Sequence, residues 1–125
     1  MTECICLAIS DETTSIVAGV DKIKFRMPYA FTVSKVKASL TVAAITGGNA
    51  GTVFDINESG VSILSTKLSI DQNELSTSTA AVAAVISDTV LADDAEITID
   101  IDLVSGTAAK GAKVYIIGFK TAEPV

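Results

Sequence analysis

The ten residues "AEITIDIDLV", 95–104, set Ile97, Ile99, Ile101 and Leu103 against Glu96, Thr98, Asp100 and Asp102. That period of two sends successive side chains to opposite faces of an extended chain. β-Branched residues on one side and carboxylates on the other describe a strand with a core face and a solvated face. The spacing therefore predicts a half-buried strand with Leu103 inside and both aspartates in water.

The same rhythm recurs on either side. In 20–27, Ile23, Phe25 and Met27 oppose Lys22, Lys24 and Arg26. Pro28, which has no N–H for a ladder, ends that strand and biases Met27 toward extended geometry. After Tyr29 and Ala30 the alternation resumes, with Val36, Ala38, Leu40 and Val42 opposite Lys35, Lys37, Ser39 and Thr41. Three of the six aromatics, Phe25, Tyr29 and Phe31, flank the proline, so the stretch reads as a corner whose rings cap one end of the core. Further strands are expected at "TVFDIN" (52–57), "VSILST" (61–66), "LSID" (68–71) and "AKVYIIGF" (112–119). "TGGNAG" (46–51), "ESG" (58–60) and "SGTAAKG" (105–111) read as turns or loops. Residues 72–92, rich in Ser, Thr and Ala, are expected to form an irregular strand followed by a loop. About eight short strands, no strand–helix–strand alternation and no convincing amphipathic helix point to an all-β fold: a two-sheet antiparallel sandwich, jelly-roll-like. With no Trp and no widely spaced cysteine pair, an immunoglobulin domain is disfavoured.

Composition bounds the rest. A chain of 125 residues with 49% hydrophobic and 19% charged residues has one core's worth of material and reads as a globular protein. No apolar run reaches the length of a membrane-spanning helix, and the opening residues lack a basic secretory start, so a soluble protein is expected. Nine basic residues against fifteen acidic ones, a formal charge of −6, disfavour nucleic acid as a partner. The basic residues that do cluster, Lys22, Lys24, Arg26, Lys35 and Lys37, read as the polar face of two adjacent strands.

Chemistry-bearing patterns are weak. Cys4 and Cys6 would point to one face of a strand ~6.6 Å apart, a poor geometry for a disulfide, and with no histidine and no further cysteine a zinc site is not expected. Glu96, Asp100 and Asp102, with Asp93 and Asp94 before them, lack the loop pattern of a calcium site and read as a solvated strand face. The absence of histidine also removes the usual general base for a Ser or Cys nucleophile. Gly47, Gly48 and Gly51 precede no phosphate-binding Lys-Ser/Thr pair. The expectation is a protein that is not an enzyme and holds no cofactor or metal.

Two segments break the inside/outside rule. In "CICLAI" (4–9), Cys4, Cys6 and Ala8 share one face and Ile5, Leu7 and Ile9 the other; in "AKVYIIGF", Val114 and Ile116 oppose Tyr115, Ile117 and Phe119. A strand apolar on both sides is covered on both sides, by its own loops or by a neighbouring subunit. Ile5, Leu7, Ile9, Tyr115, Ile117 and Phe119 are the candidate contact residues.

The set "KFRMPYAFTVSKVKASL" (24–40), "FDINESGVSILSTKLSID" (54–71), "ISDTVLADDAEITIDID" (86–102) and "GAKVYIIGF" (111–119) resembles a small β-sandwich module of tailed-bacteriophage virion proteins, over residues of about 20 to 119. The resemblance implies a particle component, commonly trimeric, with no catalytic residues to carry over. With some twenty residues before the module and no fibre shaft, the chain looks more like a capsid decoration or cement protein than a fibre tip. The implied organisation is an N-terminal segment, 1–19, with a strand at 4–9 in capsid or subunit contact, and a sandwich domain, 20–125. The implied partners are sister subunits in a homotrimer and the phage major capsid protein, with no membrane and no nucleic acid. The implied location is the outer capsid surface of a virion assembled in the host cytoplasm, where thiols stay reduced. The alternative is a module of a head or tail fibre that binds a host-surface carbohydrate or receptor, with Tyr29 and Tyr115 as the candidate sugar platforms.

Overall fold

The computed structural model describes residues 2–45, 51–104 and 109–121. In chain order they form β1 (Glu3–Ala8), β2 (Gly19–Arg26), β3 (Phe31–Ser39), β4 (Thr52–Glu58), β5 (Val61–Ser62), β6 (Leu64–Thr66), β7 (Leu68–Ile70), a single 3-10 turn (Thr77–Thr79), β8 (Val85–Ile86), β9 (Val90–Leu91), β10 (Glu96–Val104) and β11 (Lys113–Lys120). Four strands make one sheet in the order β1-β11-β3-β9, and the second runs β2-β10-β4-β5 with β7 also on β4. Every pairing is antiparallel. The first strand pairs with the last, and β1, β2, β3 and β4 alternate between sheets, as do β9, β10 and β11. That crossing pattern is a jelly roll; the small β6–β8 pair is an addition to it.

The strands form where the alternation lies. Phe54 and Ile56 of β4 and Ile97, Ile99 and Ile101 of β10 face Phe31, Val33, Val36 and Ala38 of β3 and Val114 and Ile116 of β11, and all are buried. The corner forms as expected. Between Arg26 and Phe31 the chain leaves the five-stranded sheet for the four-stranded one, with Pro28 exposed, Met27 and Phe31 buried, and the Tyr29 and Phe31 rings 6.4 Å apart. The "ESG" turn carries positive φ at Ser59 (51°) and Gly60 (85°), the type I′ geometry that matches strand twist.

Three expectations are corrected. Leu103 is exposed, because the ladder between β10 and β4 shifts register between Ile101 and Leu103; one extra residue exchanges the two faces, and Val104 packs inward instead. Asp100 and Thr98 are buried rather than solvated. The basic residues divide between sheets: Lys22, Lys24 and Arg26 lie on β2, and Lys35 and Lys37 on β3 of the other sheet. In 72–92 the structure has the 3-10 turn and two two-residue strands. Residues 46–50 of the first expected loop and 105–108 of the last lie outside the described residues.

Candidate functional site

The six candidate contact residues lie on both faces of the four-stranded sheet. Register puts Ile5 opposite Ile116 and Leu7 opposite Val114, so Ile5 and Leu7 pack on the core and Ile9 belongs to it. Cys4 opposes Ile117 and Cys6 opposes Tyr115; these four point outward with Ala8 and Phe119. Both thiols are free and exposed, Tyr115 and Ile117 are half-buried, and Phe119 is 45% exposed. The outer patch therefore pairs Tyr115, Ile117 and Phe119 with the cysteine face of β1, not with the isoleucine face. The signal available was parity: antiparallel partners share a face, and the cysteines are the outward set once β1 lies beside β11.

This face has a distinctive charge. β3 and β11 contain no Asp or Glu. Lys37 opposes Tyr115, Lys35 opposes Ile117 and Ser39 opposes Lys113, which leaves a row of cations beside the apolar patch. At one end Lys113 is held 3.1 Å from Glu12, and its hydrogen bond, then that of Thr41, holds the Glu12 carboxyl below the usual glutamate range. The expected boundary at residue 19 falls within this structure, since β1 is bonded to β11 from Glu3 to Ala8.

Both tyrosine hydroxyls have partners within the chain, and the Tyr29 ring also carries a cation. The Tyr29 hydroxyl donates to Glu3 Oε1 at 2.8 Å, which pushes its phenol above the ordinary value, and Lys120 sits 5.0 Å from its ring centre. Tyr115 shares a 3.0 Å hydroxyl contact with Ser39.

A second polar group lies on the outer face of the five-stranded sheet. Asp100 accepts from the Asp21 N–H at 2.8 Å and from Asn57 Nδ2 at 3.0 Å. Asp55, buried, accepts from the Ile56 N–H at 2.9 Å and Ser62 Oγ at 2.5 Å. Lys67 joins Asp55 to Asp102, 2.5 Å from Asp102 and 3.7 Å from Asp55, and the Asp102 hydrogen bond raises its pKa. A lysine held protonated is a poor nucleophile or base, so the arrangement ties β4, β10 and the β6–β7 connection together. Among the described residues no three of Cys, Asp or Glu converge as a metal site, and no helix is long and apolar enough to cross a membrane.

A groove of about 530 Å³ lies on the far edge of β3, between Ser34–Lys37 and the segment Ala80–Ile86, with Leu68 and Ser69 of β7 also lining it. Comparison of the chain with protein-family models, with curated proteins and with solved structures finds no match in any of the three.

Proposed function

We propose that this chain is a non-enzymatic structural protein of a bacteriophage virion: a decoration, or cement, protein that binds the outside of the head as a homotrimer and braces neighbouring capsid subunits. The observation that carries this reading is the outer face of the four-stranded sheet, where Cys4, Cys6, Tyr115, Ile117 and Phe119 make an apolar patch beside the unneutralised lysines of β3. Buried apolar area with a charged rim is what a protein contact uses. The lysine row also constrains the symmetry. A two-fold contact of the face with itself would bring like charges together, whereas a cyclic trimer or a capsid subunit meets it with a different surface. The jelly-roll topology and the resemblance of residues 20–119 to virion modules support the same assignment. A carbohydrate-binding role in a fibre is the weaker reading, because the Tyr29 ring already carries Lys120 over its face and Tyr115 is half-buried.

The test mixes purified protein with heads that lack it. Saturable, stoichiometric binding to the shell is expected, and no binding overturns the cement role. Ile117→Asp with Phe119→Asp should abolish that binding and dissociate the oligomer while leaving a folded monomer, since charge in an apolar contact is left unpaired. An unchanged sedimentation coefficient removes these residues from the subunit interface.

A further inference from the structure

The edge of β3 is interrupted. Ser39 lies opposite both Lys113 and Ser76, and the Leu40 N–H donates to the Leu75 carbonyl. On that parity Ser39, Lys37 and Lys35 bond toward β11, while Leu40, Ala38 and Val36 bond toward the opposite edge. There the Ala38 N–H is taken by Thr77 Oγ1 at 3.3 Å. Past a register shift, opposite Ile117 and Gly118, the Val33 N–H is taken by the Thr89 carbonyl at 2.7 Å. Between these two anchors the chain swings away from the sheet, and its only strand there, β8, pairs with β6 instead. Val36 thus directs its N–H and C=O into the groove with no strand opposite among the described residues. The break spans Ser34–Lys37, four residues, or ~13 Å of extended chain.

We infer that this groove accepts a short extended segment of a partner polypeptide as an added strand against β3, with acidic residues flanking a small apolar one. The inference goes beyond the assembly role and does not depend on it. Three features fix the chemistry of the occupant. An added strand gains two backbone hydrogen bonds from Val36, which has no strand opposite it among the described residues, the mode by which open sheet edges capture peptides. The guest residue opposite Val36 points inward, where Leu68 and Val36 are buried and where Ala80, Ala83 and Ala84 leave room; a small apolar side chain fits. The guest residues on either side point outward beside Lys35 and Lys37, which also line the groove. Neither lysine has an ion pair among the described residues, so carboxylates at those two positions complete the match.

The probe is a capped tripeptide, acetyl-Glu-Val-Glu-amide, whose central valine pairs with Val36, titrated into the isotopically labelled full chain and followed by amide NMR. Saturable shifts centred on Val36 and its neighbours are expected. The lysine counterpart, and a peptide with proline at its centre, should bind about tenfold more weakly, having lost charge match and a backbone donor respectively. Lys35→Glu with Lys37→Glu, both at surface positions, should reverse the preference between the acidic and basic peptides. Before any peptide is added, the Val36 amide should exchange with solvent faster than those of Val33 and Ala38. No saturable shift at Val36, equal response to both charges, shifts confined to the outer sheet face, or a Val36 amide as protected as its neighbours would each overturn the inference.

Discussion

Asp100 and Asp102 share one strand face, one residue type and one sequence motif, yet replacing them should have very different costs. Asp100 is buried and accepts from the Asp21 N–H and from Asn57 Nδ2. Hydrogen bonds to a charged group contribute roughly 1.5–3 kcal/mol each. Part of that is recovered in Asp100→Ala, because Asp21 is exposed and water can reach its amide, and because the carboxylate no longer has to be desolvated. What remains is the orphaned Asn57 amide and the loss of the clip that holds Asp21 at a φ of 52°, where a non-glycine residue is disfavoured. The net expected loss is about 2–3 kcal/mol, which is about 1–2 M in urea midpoint at a slope typical of small domains. Asp102 is bonded to Lys67, whose side chain is 45% exposed. A pair of that kind contributes about 0–1 kcal/mol, so Asp102→Ala should move the midpoint little. Urea unfolding followed by circular dichroism, at one protein concentration because association adds apparent stability, measures both. Equal small losses for the two variants would mean that Asp100 is solvated, and the account of the bulged face would be wrong.

Gly51 and Gly60 make a similar contrast. A Cβ at Gly51 would lie 1.5 Å from the Ile70 carbonyl oxygen, so Gly51→Ala must push β7 off β4 and should cost roughly 3 kcal/mol or more; Gly60 has open space but φ of 85°, and Gly60→Ala should cost only about 1 kcal/mol, both read from thermal or urea midpoints. Burial raises the pKa of Glu58, with its neighbour Asp88 adding to the shift and the Ala92 N–H opposing it. A carboxyl raised in the folded state contributes stability below its unfolded pKa that is lost as pH rises through the folded value. Glu58→Gln, which keeps an acceptor for Ala92, should therefore gain on the native chain between pH 4 and 7, and a constant difference across that range would refute the burial effect. Cys4 and Cys6 should both react promptly with Ellman's reagent in the dissociated chain and be protected in the assembled form; unprotected thiols would place the contact elsewhere.

What was legible in the sequence is what depends on local alternation. β10, β2, β4 and β11 lie where period two put them, and the proline corner joins the two sheets because a residue without an N–H ends one ladder while the rings beside it find the core. What was hidden depends on which strand lies beside which. Asp100 looked solvated because alternation describes a regular ladder, whereas β2 bulges opposite Asp100 on one side and β10 itself bulges against β4 on the other. The lysines of β2 and β3 looked contiguous because they are close in sequence, but the corner sends them to opposite sheets. Segment 72–92 stayed obscure for a related reason. Its role is to touch the β3 edge at Ser76, leave it, and return at Val90, and a strand broken in this way has no period to detect.

β1 explains why a strand can be oily on both sides without being buried on both. Its odd positions close the core: Leu7 meets Val114 and Ile5 meets Ile116, and without them β11 would be an unprotected sheet edge eight residues long with its inner side chains uncovered. The even positions take no part in that. Cys4, Cys6 and Ala8 stand exposed, next to Tyr115 and Ile117 across the ladder, and folding of the single chain gives no reason for their apolar character. Alternate residues of one strand thus divide, the odd ones building the fold and the even ones carrying the proposed contact. Substitutions at Ile5 or Leu7 act on the fold and carry the surface with them, whereas substitutions at Cys4 or Cys6 change the surface alone. A contact built on the even positions is therefore separable from stability, which a contact built on the isoleucine face could not be.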